Sequence, residues 1–135
     1  MHDYKKRRKY FPSYTNYDHY FDSGLALDHG VMAAILYHHL EVCIEGNFMN
    51  KVNLDEEGHA LTILSYEYIA STIRYLSPSQ VKASIATLMK AGMIVEKLRI
   101  GPQGAHKWIG LPDYYWQEQE EEEEKKVKTK IVKKR

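Results

Sequence analysis

The tetrapeptide Ser77-Pro78-Ser79-Gln80 constrains this chain more than any other segment. A serine at the N-cap, a proline at the first helical position and a glutamine three residues after the cap form a capping box, which fixes where a helix begins. Apolar residues follow at helical spacing and predict the buried face of that helix: Val81, Ile85, Leu88 and Met89. Gly92 suits the position just after a helix, so the sequence predicts a capped helix that ends there.

A longer helix is predicted earlier in the chain, over about His29–Ile44. Asp28 is a good N-cap for it, its apolar residues recur at helical spacing, and Gly46 provides a stop. Residues 45–59 are polar and contain glycine, which indicates a loop after this helix.

A short strand and a short helix separate this loop from the capping box. Ala60–Leu64 is a brief apolar run that contains threonine and isoleucine, which is compatible with one strand. Ser65 can then cap a short helix through about Ile73, whose apolar residues again fall on one face. A tight turn joins this helix to the capped one.

A β-hairpin follows the capped helix. Residues 94–100 and 105–111 flank the turn Gly101-Pro102-Gln103-Gly104, and Pro112 ends the second strand. The order of elements is therefore helix, strand, short helix, tight turn, capped helix and hairpin. That order predicts a mainly helical α+β fold, the winged helix-turn-helix, with three helices and the hairpin as its wing.

The segments on either side of this domain differ from it in composition. Residues 1–17 interleave basic with aromatic residues and predict an arm, the winged helix-turn-helix domain spans residues 18–116, and residues 117–135 form a charged tail. In the tail, glutamates precede lysines, and Glu–Lys pairs four residues apart each contribute only ~0.2–0.5 kcal/mol to a helix. The tail is therefore predicted to be helical or disordered.

Several segments resemble those of one protein family. His29–Leu40 is similar to its first helix, Leu64–Ala70 to its second, and Leu76–Val81 with Leu88–Ile94 to its recognition helix and exit. The family comprises winged-helix proteins of phages and mobile elements that are related to DnaD-type replication initiators and replisome organisers. The resemblance covers roughly residues 20–112 and implies double-stranded DNA binding in replication initiation or transcription regulation.

The charge of the chain is divided between its two halves. The total of 19 basic and 18 acidic residues gives only +1, but residues 11–73 contain one basic and nine acidic residues. Residues 74–107 contain six basic residues and one acidic residue, and they include the capped helix and the hairpin, which project in a winged helix. This placement favours a DNA-binding surface whose affinity depends strongly on salt.

The candidate DNA-binding residues lie on the predicted recognition helix, the wing and the arm. Residues at the N-terminal end of a recognition helix reach base edges, whereas lysines suit phosphates. The candidates on the helix are Ser79, Gln80, Lys82, Ala83, Thr87 and Lys90. Those on the wing, which could enter or flank a minor groove, are Lys97, Arg99, Gln103, His106 and Lys107. Those in the arm are Lys5, Lys6, Arg7, Arg8 and Lys9.

Two uses compete for the side chain of Gln80. It could read adenine through paired hydrogen bonds, because its carboxamide offers both a donor and an acceptor. It is also the glutamine of the capping box. If it folds back onto the N-cap amide, it cannot read a base, and the sequence leaves both uses open.

The sequence lacks the patterns that are typical of enzymes. His38 and His39 are adjacent rather than four residues apart, and neither a phosphate loop nor a dinucleotide-binding glycine pattern occurs. We therefore expect no catalysis, no cofactor and no metal. A single cysteine, Cys43, and the lack of any long apolar stretch predict a cytoplasmic protein of a prokaryotic cell or phage-infected host, with no membrane partner.

The acidic residues of the first half support a second hypothesis. They could solubilise the face opposite the DNA, or they could bind a basic partner protein or a dimer mate. In the latter case the chain is a phage-encoded protein-binding winged helix that inhibits or recruits a host replication or defence protein. A homodimer through the first helix, the arm or the tail is a further prediction.

Overall fold

The computed structural model describes residues 20–102 and 104–133. Over these residues the chain is mainly helical, with five helices and one three-stranded antiparallel sheet. In chain order the elements are α1 (Ser23–His29), α2 (Val31–Met49), β1 (Leu61–Ile63), α3 (Tyr66–Ile73), α4 (Pro78–Lys90), β2 (Val95–Gly101), β3 (Gly104–Gly110) and α5 (Asp113–Lys133). The fold is therefore of the predicted α+β class, with two more helices than expected.

The two helices with the clearest sequence signals begin where they were predicted. The Ser65 hydroxyl accepts a hydrogen bond from the Tyr68 amide at the start of α3. At the start of α4, the Ser77 hydroxyl accepts from the Gln80 amide at 3.2 Å, and the Gln80 carboxamide oxygen accepts from the Ser77 amide at 2.9 Å. Gly92 lies just after α4 with φ of 73°, a left-handed conformation that glycine adopts without steric cost. The predicted capping box is confirmed.

The predicted start of the first long helix is wrong. Asp28 does not cap a helix but lies inside α1, whose N-cap is Asp22; the Asp22 carboxylate accepts from the Leu25 amide at 2.9 Å. Gly30, with φ of 94°, ends α1 and precedes α2. A side chain at this φ would be strained, so the backbone turns at the glycine instead of continuing one helix from His29.

The predicted stop of that helix is also wrong. Helix α2 continues through Gly46 to Met49, although an interior glycine costs about 1 kcal/mol relative to alanine. Contacts with distant residues hold the last turn. The side-chain amide nitrogen of Asn47 donates to the Leu61 carbonyl oxygen at 2.8 Å, and the Phe48 ring centroid lies 5.2 Å from the Trp116 ring centroid.

The sheet has the strand order β1-β3-β2. β2 and β3 form the predicted hairpin, in which Lys97 pairs with Trp108 and Arg99 pairs with His106. β1, the predicted short strand, pairs with the other edge of β3. A Cβ atom at Gly110 would lie only 2.8 Å from the Cδ2 atom of Leu61, which shows how closely β1 and β3 pack there.

The core lies where α2, α3 and α4 meet the base of the sheet and the first turn of α5. Of the residues predicted to face inward from the capped helix, Val81, Ile85 and Leu88 are buried, whereas Met89 is partly buried against the core. Helix α2 contributes the largest share of the rest. Burying side chains of this size stabilises the fold by ~1.5–3 kcal/mol each relative to exposing them. The largest fully buried side chains are Leu36, Leu40, Ile44, Leu61, Ile73, Val81, Leu88, Ile94 and Ile109.

Helix α5 joins the domain to the charged tail. Trp116, in its first turn, is 5% exposed and packs in the core. The helix then continues to Lys133, across the boundary predicted between residues 116 and 117, so the described part of the tail is helical. Within the ranges that the structure describes, every helix is too short or too polar to traverse a bilayer.

Candidate nucleic-acid interface

Helix α4 presents one continuous exposed face. Ser79, Ala83, Ala86 and Lys90 follow one another at intervals of four, three and four residues, which places them on the side of the helix opposite the buried Val81. All four are exposed, as is Lys82 beside them. Small side chains between two lysines leave the helix backbone accessible to a flat or grooved ligand. Ala86 belongs to this face, but the sequence analysis did not identify it.

Two polar candidates on α4 make hydrogen bonds within the helix. The Gln80 carboxamide oxygen is the acceptor in the capping box, so the atom needed to accept from adenine N6 is already bonded. The Thr87 hydroxyl donates to the Ala83 carbonyl oxygen at 3.1 Å. The capping use of Gln80 is therefore the one present in this structure.

One face of the hairpin places a cation against an aromatic ring. The Arg99 guanidinium lies over the Trp108 ring, 4.7 Å from its centroid. His106 is the partner of Arg99 across the two strands, so both side chains stand on the same face of the hairpin as Trp108. His106 is exposed and Arg99 is half-buried. The stacked guanidinium is pre-oriented at the edge of the hairpin, where a phosphate or a base edge could approach it.

The two lysines of the hairpin are engaged in ion pairs. Lys97 Nζ lies 3.1 Å from a carboxylate oxygen of Asp55, in the loop between α2 and β1. Lys107 Nζ lies 3.4 Å from a carboxylate oxygen of Glu96 on the neighbouring strand. Both lysines are on the hairpin as predicted, but part of their charge is neutralised by these partners.

Three hydrogen bonds hold the carboxylate of Asp55 in place. One carboxylate oxygen accepts from the backbone amides of Glu57 and His59, each at 2.9 Å, and the other accepts from Lys97. Burial alone would raise the pKa of this carboxyl, but these three donors outweigh burial and lower the pKa below its ordinary value of 3.8. Asp55 therefore ties the loop before β1 to the hairpin.

The other face of the hairpin exposes apolar side chains near its turn. Leu98 is 65% exposed and Ile100 is 86% exposed. They lie on the face opposite Arg99, because successive residues of a strand point to opposite sides. Their exposure follows from their position near the turn, beyond the part of the hairpin that the core covers.

Six predicted site residues lie outside the described residues. They are Gln103 in the hairpin turn and the arm residues Lys5, Lys6, Arg7, Arg8 and Lys9. The described members of the predicted site fall into two groups, one on α4 and one on the hairpin. Both groups belong to elements that follow one another directly in the chain.

A separate cluster brings together groups that can bind metals. Ligand atoms of Glu57, His59 and Asp113 all lie within 4.8 Å of one another. No spacing in the sequence indicates this cluster, because Asp113 is 54 positions after His59. Two of the three side chains are exposed, and none of the three belongs to α4 or to the hairpin.

Comparison with known proteins gives one structural relative. No family model matches the sequence, and no curated protein matches it. A solved structure described as "N-Terminal domain of DNA binding protein" has a TM-score of 0.57 with 16% sequence identity, over 90% of this chain and 94% of that one. At this identity the similarity concerns the fold, so the chain shares the overall fold of that domain.

Proposed function

We propose that this domain is a winged helix-turn-helix that binds double-stranded DNA, with α4 in the major groove and the β2–β3 hairpin as the wing beside it. The single observation that carries the proposal is the exposed face of α4, where Ala83 and Ala86 lie between Lys82 and Lys90 and Ser79 stands near the start of the helix. Small residues allow close approach to base edges, and flanking lysines suit phosphates.

Two further observations support this proposal. Arg99 stands on the hairpin in a stacked, pre-oriented position, which suits contact with a phosphate or a minor groove. The structural relative is described as part of a DNA binding protein. Because Gln80 is used in the cap, Lys82, Ala83 and Ser79 carry the proposed helix contacts, and Lys97 and Lys107 contribute less than their formal charge.

The finer role proposed here is that of a non-catalytic protein of a phage or mobile element, acting in replication initiation or transcription regulation. It would work in the cytoplasm of a prokaryotic cell or phage-infected host, where duplex DNA is accessible. A homodimer would double the number of phosphate contacts, and the arm residues 5–9 would add more.

Binding to a labelled random duplex, measured by fluorescence anisotropy from about 50 to 200 mM NaCl, tests the proposal. The variant Lys82→Gln with Lys90→Gln is expected to bind more weakly and to show a slope of log K against log [salt] that is shallower by about 2 units. The matched control is Lys125→Gln with Lys126→Gln, which removes the same charge from α5. Failure of the wild type to bind at low salt, or equal losses in both variants, would exclude α4 as the DNA-binding element.

A second candidate function is favoured by a different observation. Five glutamates, two from the acidic half of the chain and three from α5, line one groove, which suits a protein-binding module that inhibits or recruits host machinery. The same anisotropy experiment separates the two candidates, because a protein-binding module would show no salt-dependent affinity for duplex DNA.

A further inference from the structure

A groove lies between the end of α2, the loop before β1 and the first half of α5, with a volume of about 760 Å³. The Trp116 ring stacks on the His59 ring, with 4.9 Å between centroids and 6° between planes. The Phe48 and Tyr115 rings pack against the same indole at 5.2 and 5.3 Å. Phe48 is 48% exposed, so part of an aromatic surface that attracts cations is open to a ligand.

The walls of this groove are acidic. Among the described residues that line it, five are glutamates and none is lysine or arginine. Glu45 comes from α2 and Glu57 from the loop, whereas Glu120, Glu123 and Glu124 stand on the exposed side of α5. His59 lies 3.6 Å from one of them, Glu57. Carboxylates gathered around one concave surface, with no lysine or arginine among them, attract a ligand of opposite charge.

The pKa values of two neighbouring groups are raised near these carboxylates. Burial, and then the hydrogen bond that its hydroxyl donates to Glu45, raises the pKa of Tyr115. One turn earlier on α2, burial and then the charge of Glu45 raise the pKa of Glu41. The charge of Glu45 therefore adds to burial in raising both pKa values.

Trp116 also offers a hydrogen bond that the described residues do not use. Its side chain is 5% exposed, and its indole Nε1 is buried without an acceptor in residues 20–102 and 104–133. A buried indole N–H normally has a partner.

We propose that this groove binds the basic N-terminal arm of the same chain, through Lys5, Lys6, Arg7, Arg8 and Lys9. Residues 1–10 hold five basic residues and one acidic residue, which complements the five glutamates of the groove. Tyr10 and Phe11 follow the basic run directly and match the apolar surface of Phe48 and Met49. The arm occupies the groove in the free protein and is displaced when it binds phosphates.

The arm is long enough to reach the groove. The described chain begins at Tyr20, whose ring lies 6.1 Å from the His38 ring on α2. Phe48 stands ten residues further along that helix, which corresponds to ~15 Å. The eleven residues from Lys9 to Tyr20 can extend to ~36 Å. Because the arm is covalently attached, its effective concentration at the groove is in the millimolar range.

Zero-length carbodiimide crosslinking of the full chain, followed by mass spectrometry, tests the contact. Lysines of the arm are expected to crosslink at least fivefold more to the groove residues Glu120, Glu123 and Glu124 than to Glu118, Glu121 and Glu122. The second set is the matched control, because it is equally exposed on the same helix but does not line the groove. Equal yields at the two sets would overturn the proposal.

The source of the arm is tested by mixing ¹⁴N-labelled and ¹⁵N-labelled protein before crosslinking. Contact within one chain is expected to give crosslinked peptides of a single isotope. Peptides that pair the two isotopes would show that the arm of a second copy fills the groove, and would overturn the assignment to the same chain. No step involves DNA, so this result is independent of the duplex-binding experiment.

A second measurement follows the groove without a crosslinker. Incorporation of 5-fluorotryptophan gives separate ¹⁹F resonances for Trp108 and Trp116, which Trp108→Phe assigns. The arm variant Lys6→Glu with Arg8→Glu is expected to shift the Trp116 resonance. The same two arm substitutions should not shift the Trp116 resonance when they are added to the groove variant Glu120→Gln, Glu123→Gln and Glu124→Gln. A shift in that background as large as in the wild type would overturn the proposal.

Discussion

The ion pair between Asp55 and Lys97 gives the most decisive test of how the β2–β3 hairpin is held against the rest of the domain. The two charged atoms are 3.1 Å apart, and the side chains are 12% and 36% exposed, respectively. Exposed pairs contribute ~0.2–1 kcal/mol, and we expect this pair to contribute about 1 kcal/mol because Asp55 is largely shielded from water. Asp55→Asn retains an oxygen for the amides of Glu57 and His59 but removes the pair. Asp55→Ala removes all three hydrogen bonds and should cost about 3 kcal/mol.

The assay is a double-mutant cycle in urea, with unfolding followed by far-ultraviolet circular dichroism. The four proteins are the wild type, Asp55→Asn, Lys97→Met and the double variant, and the expected coupling free energy is about 1 kcal/mol. The Glu96–Lys107 pair is the internal control. Its atoms are 3.4 Å apart and its side chains are 39% and 65% exposed, so a coupling below about 0.5 kcal/mol is expected.

A coupling of zero for Asp55 and Lys97, or equal couplings for the two pairs, would refute this account of the wing. Lys97 would then be as available to DNA as its position on the hairpin first indicated. If the coupling is found, Asp55→Asn also releases the lysine. Under the proposed function, the affinity of Asp55→Asn for duplex DNA should then rise, although the protein is less stable.

Three other predictions follow from the caps, the core and the pKa of Asp55. Ser77→Ala should lower the free energy of unfolding, measured in urea, by about 1 kcal/mol because it removes the N-cap. Ser79→Ala, two residues later and outside the cap, should change it by less than about 0.5 kcal/mol. Leu36→Ala should lower the free energy of unfolding by about 3 kcal/mol because Leu36 is fully buried. Leu27→Ala, at an 88% exposed site, should leave it nearly unchanged. Similar losses in the two variants would contradict the assigned core. Because the pKa of Asp55 is lowered on folding, its contribution is complete above the ordinary pKa of 3.8 and is lost as pH falls through the lower folded-state pKa. The stability difference between wild type and Asp55→Asn, measured from pH 7 to pH 2, should therefore shrink only at the acidic end.

Elements with local signals could be predicted from the sequence, and elements set by distant contacts could not. The capping box at Ser77 and the cap at Ser65 depend on residues within one helical turn, so both helices were predicted correctly. The stop at Gly46 was predicted wrongly, because the last turn of α2 is held by Leu61 and Trp116, which are far away in sequence. Asp28 was mistaken for a cap because Asp22 and Gly30 together allow a separate short helix.

The candidate site follows the same division. Helical spacing alone placed Lys82, Ala83 and Lys90 on the exposed side of α4. The pairing of Lys97 with Asp55 joins residues 42 positions apart, and no periodicity in the sequence indicates it. The choice between two uses of Gln80 also required coordinates, because both uses place the same residue at the same point of the helix.

The strand order β1-β3-β2 has a consequence for how the chain folds. The middle strand is the last of the three in sequence, and its partner β1 ends 41 residues before it begins, so closing this pairing requires a long loop to be ordered first. The capped helices α3 and α4 and the β2–β3 hairpin involve local contacts, so we expect the β1–β3 pairing to form later than these elements. Substitutions at the β1–β3 pairing should therefore mainly accelerate unfolding, and those at the α3–α4 contact should mainly slow folding.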